Sequence, residues 1–162
     1  MMGKNDFASA WDIKKAATKD QVCSLTKNRN FCIQQLNSVP DQDLFDLGVY
    51  ITNEISVNAA GTGSKIRVTL LPKATPAQKG HLSYCQGRYE SAMSANGKLI
   101  VQFSNKDYNG AKKIALSAEN YSTECENSFK SPPAGASPLT KENQELSDLF
   151  DIFVALCTFL LR

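Results

Sequence analysis

The chain has 162 residues, enough for one domain with a core of its own, and its 18 basic and 16 acidic residues leave a formal charge of only +2. No overall bias points to nucleic acid, and the apolar run 152–161 spans ten residues against the ~20 that a membrane-crossing helix needs. The charge is unevenly spread: residues 65–113 carry nine Lys/Arg against two acids, and residues 119–151 carry seven acids against two Lys. Such blocks mark solvated faces or a docking surface.

The opening residues MMGKND lack the apolar stretch of a signal peptide, and Phe7 stands where a myristoylation pattern needs Ser or Thr. Residues 6–20 read as one or two short helices. Residues 23–32 (CSLTKNRNFC) are polar, with Asn28, Arg29 and Asn30 predicting a turn closed by its own end cysteines. Asp41-Gln42-Asp43, after Pro40, reads as a helix start with acids in the first turn. Leu44, Leu47, Ile51 and Ile55 then recur at helical spacing, and Gly61 and Gly63 weaken the helix locally. Residues 66–70 (IRVTL) alternate like a strand, but no partner strand exists elsewhere, so they are assigned to the helix. Pro72 and Pro76 end the segment.

The next helix is predicted from about Gln78 to Phe103, with an inner stripe of Leu82, Cys85, Tyr89, Ala92, Asn96, Leu99 and Phe103. Glu90, Ser94 and Lys98 lie opposite. Asp107 opens another helix, to about Phe129. Its inner stripe is Ala111, Ile114, Ala118, Tyr121 and Cys125; its outer stripe is Lys113, Leu116, Asn120, Thr123 and Asn127. After the Pro-rich connection 131–138, Thr140 is expected to cap a last helix with an inner stripe of Leu146, Phe150, Phe153, Cys157 and Leu161. Four amphipathic helices with short connections predict an all-α fold, an antiparallel up-down-up-down four-helix bundle.

Five cysteines fit this frame as two disulfides and a spare thiol. Cys85 and Cys125 lie in the apolar stripes of adjacent helices, so a bridge would tie helix to helix through the core. Cys23 and Cys32 would close a small loop. Structural disulfides persist in oxidising compartments, which favours a secreted protein whose leader has been removed. Cys157 sits among Phe153, Leu156 and Leu160 and reads as an inert, buried free thiol.

The ingredients of catalysis are missing. His81, four residues before Cys85, is the only histidine, so neither a zinc site nor a Ser/His/Asp set can be assembled, and no metal or cofactor is expected. Gly61-Thr62-Gly63-Ser64-Lys65 lacks the spacing of a phosphate loop. The pairs Glu124/Glu126 and Asp148/Asp151 fall on polar faces and read as solvated charge. Asn120-Tyr121-Ser122 is an N-glycosylation sequon.

Several segments together resemble the plant invertase/pectin methylesterase inhibitor family, near its pollen-allergen-like branch, over about residues 20–161. Cys23-Ser24-Leu25-Thr26 to Phe31-Cys32 resembles that family's first cysteine hairpin, and LSYCQGRYESA (82–92) its third-cysteine helix, with Tyr89 four after Cys85. Lys106-Asp107-Tyr108 resembles its next helix start. AENYSTECENSF (118–129) resembles its fourth-cysteine segment, with Glu126 and Phe129 in place, and Ser137–Asn143 and Leu160-Leu161 are also similar.

The resemblance implies a helical hairpin extension (1–38) before the bundle (39–162), both disulfides, and secretion into the plant cell wall. It also implies a non-catalytic inhibitor that covers the cleft of a carbohydrate-active enzyme in a 1:1 complex. Asn105–Asn109 lacks the Pro-Lys-Phe motif common among invertase inhibitors, which favours pectin methylesterase as target. Glu124 in place of Thr, Gly87 and Ser91 depart from the pectin methylesterase pattern and keep invertase as an alternative. A helical small-ligand carrier is the alternative from a different class. The expected contact residues are Glu90, Ser94, Lys98, Lys113, Leu116, Asn120 and Thr123, with Leu116 as the large apolar residue on a polar stripe. A glycan on Asn120 would obstruct this face.

Overall fold

A computed structural model describes residues 18–162 of the protein. The helix expected before Cys23 therefore lies largely outside the described residues; of it, residues 18–24 are helical. A turn at 25–27 leads to α1 (Arg29–Asn37), followed by α2 (Leu44–Ser64), α3 (Pro76–Ser104), α4 (Tyr108–Ser128) and α5 (Thr140–Leu160), with no strand among the described residues.

Local chemistry sets the helix starts. Asn28 does not extend the turn but caps α1, its Oδ1 accepting the Phe31 N–H at 3.2 Å, so Arg29 and Asn30 are already helical. Asp43 caps α2 through the Asp46 N–H at 2.8 Å, and Asp107 caps α4 through the Gly110 N–H at 2.9 Å. Pro76 opens α3, where its missing N–H costs nothing. Residues 66–70 are helical as expected, but in a wide π-helical turn over Lys65–Leu70 that passes into a 3-10 turn at Leu71–Lys73. Pro72 explains the change, because it has no N–H to give and its ring crowds the carbonyl four residues back.

Helices α2 to α5 form the bundle. Each packs on its neighbour in sequence, and α2 closes the ring against α5. Neighbours run antiparallel: Asn96 of α3 reaches Thr52 and Ser56 of α2, and Asn143 at the start of α5 reaches Glu126 near the end of α4. The interior is filled by Ile51, Ile55, Leu82, Tyr89, Leu99, Phe103, Phe150 and Phe153, all buried. The grooves that take solvent lie between helices at the surface, an arrangement that gives no support to a carrier with a ligand along its axis.

Three stripe positions and one cap need correction. On α4 the buried line is Ala111, Ala115, Ala118, Ser122 and Cys125, while Ile114 and Tyr121 are half-buried. Helix α4 is wedged between α3 and α5, so small residues occupy its centre and the larger ones sit at the edge. Leu161 lies past the end of α5 and is 48% exposed. Thr140 is the first residue of α5 rather than its cap; its hydroxyl instead donates to Glu126 Oε1 at 2.6 Å.

At one end of the bundle Phe103 stacks on Phe45 (4.9 Å between centroids) and meets Tyr108 (5.4 Å) and Phe153 (5.0 Å). Gly48 of α2 makes room for this ring: a Cβ there would stand 2.3 Å from Phe103 Cζ. Three aromatic neighbours prevent the ring from withdrawing. Replacing Gly by Ala inside a helix gains about 1 kcal/mol in propensity, but overpacking a fixed core costs about 1–3 kcal/mol. Gly48→Ala is expected to lower the melting temperature by several degrees; a rise in a thermal melt would mean that the ring yields.

Candidate functional site

The candidate surface is carried by α3 and α4, and three features fix these helices to each other and to α5. Cys85 and Cys125 form a disulfide with a Cα–Cα distance of 4.7 Å. Beside it, the buried Tyr89 hydroxyl donates to Asn143 Oδ1 at 2.7 Å, and Asn143 Nδ2 donates to Glu126 Oε2 at 2.7 Å. The Thr140 hydroxyl closes the chain on the other oxygen of Glu126. Burial pushes the Tyr89 phenol well above its ordinary value, so it stays a donor. Partial burial also pushes the Glu126 carboxyl up, but hydrogen bonds from Thr140, Asn143 and Ser137 outweigh it and hold the group below its ordinary 4.5.

All seven expected contact residues are exposed on α3 or α4, but they do not share one patch. Ser94, Lys98 and Lys113 come together around a groove of about 460 Å³ between the two helices, with Ser91, Ser117 and Tyr121. Glu90 instead faces α2 across a groove of about 370 Å³ shared with Arg67 and Met93. Thr123 lines a groove of about 230 Å³ against α5. Leu116 and Asn120 lie on the outward ridge of α4, and Leu116 is 46% exposed. Asn120 is exposed, whereas Ser122, the hydroxyl of its sequon, is fully buried and without a hydrogen-bond partner.

One neighbouring group escaped the sequence reading. Arg88 lies over the rings of Tyr84 (5.5 Å) and Tyr121 (5.4 Å) and bonds Glu124 Oε2 at 3.2 Å. Tyr84 and Arg88 are four apart on one helix, a spacing that places them together and was the available signal. A second group lies where the hairpin meets the bundle. Asp148 and Asp151 are not solvated charge: Asp148 is buried and accepts Asn28 Nδ2 at 2.9 Å, and Asp151 Oδ2 accepts the Lys27 N–H at 2.8 Å. The buried Glu119 of α4 lies near Asp151 and stands 3.6 Å from Lys27 Nζ. Periodicity cannot reveal this cluster, since it depends on the hairpin folding back over a sequence separation of 120 residues or more.

Among the described residues no group of His, Cys, Asp and Glu can hold a metal ion, and no helix is long and apolar enough to cross a membrane. His81 is turned to the Pro133 carbonyl at 2.9 Å and packs by Phe129, which ties down the Pro-rich connection. Cys23 and Cys32 form the second disulfide. Cys157 is free and buried, and burial pushes its thiol up to about 12, the opposite of what a nucleophile needs.

The fold and these surfaces define a disulfide-stapled helical bundle that offers outward helix faces instead of a polar centre. The chain belongs to the plant invertase/pectin methylesterase inhibitor family, whose model matches residues 17–156. It is 37% identical over 141 residues to a Platanus orientalis protein named "Putative invertase inhibitor", covering 82% of this chain and 80% of that one. It is 31% identical over 144 residues to a pectinesterase inhibitor of Actinidia deliciosa, covering 86% of this chain and 77% of that protein. Its fold matches a mutant form of a pectin methylesterase inhibitor from Arabidopsis with a TM-score of 0.77 at 19% identity, over 85% of this chain and 93% of the other.

Asn143→Ala would strand the Tyr89 hydroxyl and one oxygen of Glu126, each at a cost of about 1–3 kcal/mol. Chemical denaturation is expected to show a loss of that order with an unchanged m-value. Because Glu126 is held below its ordinary value, the stability it contributes is present above about pH 4.5 and lost as pH falls through its folded value. Glu126→Gln should therefore flatten the acid limb of the stability profile; an unchanged limb would refute the assignment.

Proposed function

We propose that this protein is a secreted, non-catalytic inhibitor that docks the outward faces of α3 and α4 over the substrate cleft of a plant cell-wall enzyme, pectin methylesterase in the first place. Family membership over residues 17–156 carries the reading. The geometry supports the mechanism. A disulfide and a buried hydrogen-bond chain lock the two helices, so little ordering remains to be done on binding. Ser94, Lys98 and Lys113 ring one groove, and no carboxylate lines it, which suits an acidic counter-surface. Leu116 on the adjacent ridge supplies the apolar anchor, and Asn120 beside it fits this role only unglycosylated. Glu90 and Thr123, in the flanking grooves, mark the rim of the surface. Residues 1–38 serve as a hairpin extension to the bundle of residues 39–162.

The greater identity to the Platanus protein, 37% against 31%, favours invertase as the second reading. Titration into both enzymes separates the two. Methanol release from pectin is expected to fall to a stoichiometric 1:1 endpoint, with sucrose hydrolysis by invertase unaffected. Full methylesterase activity at molar excess would sink the first reading, and loss of sucrose hydrolysis alone would install the second. Leu116→Asp should weaken inhibition by about 30-fold or more, the equivalent of ~2 kcal/mol at an interface centre, with no change in the melting temperature.

A further inference from the structure

The groove between α3 and α4 combines three kinds of side chain. Lys98 comes from one wall and Lys113 from the other, and neither forms an ion pair among the described residues. Ser91 and Ser94 of α3 and Ser117 of α4 line it with hydroxyls. Ser91 donates to the Gly87 carbonyl at 3.0 Å, which leaves its oxygen able to accept. The hydroxyls of Ser94, Ser117 and Tyr121 have no hydrogen-bond partner among the described residues. Ala95, Ile114 and the Tyr121 ring supply apolar wall.

The acids of these helices are engaged or turned elsewhere. In the basic block 65–113 they are Glu90 and Asp107. Glu90 lines the groove on the other side of α3, against α2, and Asp107 caps α4. Glu124 of α4 is paired with Arg88. That pair also fixes Tyr121, because Arg88 lies over its ring at 5.4 Å while bonding Glu124 Oε2 at 3.2 Å. A ring held in this way has little rotamer freedom left to lose when a ligand packs on it.

The lining selects a ligand by its chemistry. Two unpaired ammonium groups call for anions, unpaired hydroxyls for a ligand rich in hydroxyls, and a fixed ring with apolar neighbours for one that has a C–H face. A sugar that bears a carboxylate carries all three. A phosphate or sulfate ion leaves the ring unused, and a neutral sugar leaves both lysines unused. The groove measures about 460 Å³, within the ~300–1,000 Å³ usual for small-ligand sites.

We propose that this groove binds a short stretch of an acidic polysaccharide, a chain of uronic acid residues, with Lys98 and Lys113 on its carboxylates and Tyr121 against a sugar ring. The role of the site rests on the methylesterase reading, although the binding does not. Hydrolysis of a pectin methyl ester by water releases methanol and a proton and leaves a carboxylate on the sugar. The product therefore carries the groups that the two lysines take, and the esterified substrate does not. The inhibitor gathers where esters have already been removed, and the polymer competes with the enzyme for the face formed by α3 and α4.

NMR titration of the full chain with an oligomer of galacturonic acid, at low ionic strength where charge contacts are least screened, tests the site. The amides of Ser94, Lys98, Lys113 and Ser117 are expected to shift together. The fully methyl-esterified oligomer of the same length should bind about tenfold more weakly or worse. The double variant Lys98→Gln/Lys113→Gln, which changes exposed residues only, should lose about tenfold or more in affinity for the acid form. Equal binding of acid and ester, shifts spread over lysines elsewhere, affinity unchanged in the double variant, or no shift at millimolar oligomer would each overturn the proposal. So would inorganic polyphosphate binding as tightly as the oligomer, which would mark a general anion site. Leu116 lies outside the groove, so Leu116→Asp should leave oligomer binding intact while it weakens inhibition, and the two readings fail separately.

Discussion

The structure depends on the clamp that joins α3, α4 and α5 at one level of the bundle. The Cys85–Cys125 bridge and the chain Tyr89–Asn143–Glu126–Thr140 share that level, and Asn143 Nδ2 touches both, lying 3.3 Å from Cys125 Sγ. The bridge closes a loop of about 40 residues, which in the chain-entropy picture stabilises by roughly 3–4 kcal/mol. The hydrogen-bond chain adds direction. A disulfide alone permits the helices to slide about the bond, whereas buried polar groups are satisfied at one register only. The segments around Cys85, Cys125 and Asn143, which gave the family resemblance, are the ones that build this clamp.

What the clamp holds in place is the outward surface. Lys98 and Lys113 come from different helices running in opposite directions, and they border one groove only while α3 and α4 keep their spacing. The small centre of α4, Ala111, Ala115, Ala118 and Ser122, permits a close approach to both neighbours. It also pushes Ile114 and Tyr121 to the edge, where Tyr121 becomes both a wall of the groove and a platform for Arg88. Core packing and surface shape are therefore one property of α4.

Helical spacing made most of the fold legible. The inner stripe of α3, including the polar Asn96, is buried residue for residue as periodicity places it. Helix α4 was harder to read, since its buried arc is made of small and polar residues, Ser122 and Glu119 among them, that an apolar stripe does not mark. Thr140 was misread as a cap because the resemblance to a capping residue is local, while its actual partner, Glu126, is on another helix. Asp148 and Asp151 looked solvated because polar residues ordinarily are; their partners, Lys27 and Asn28, lie across the whole chain. The seven surface residues are all exposed, yet their division among three grooves and the outward ridge of α4 depends on helix rotation, which spacing alone does not fix.

Glu119 and Glu126 sit seven residues apart on the same side of α4, both turned toward α5, and their environments act in opposite directions. Around Glu126 the partners are donors, a hydroxyl and an amide, so the carboxylate is the form the site favours. Around Glu119 burial comes first, the charge of Asp151 adds to it and one oxygen has no donor, so the neutral form is favoured. Burial raises both carboxyls and is the largest cause at the more deeply buried Glu119, whereas at Glu126 the donors outweigh it. Acid therefore weakens the clamp at one end of α4, as Glu126 takes up its proton.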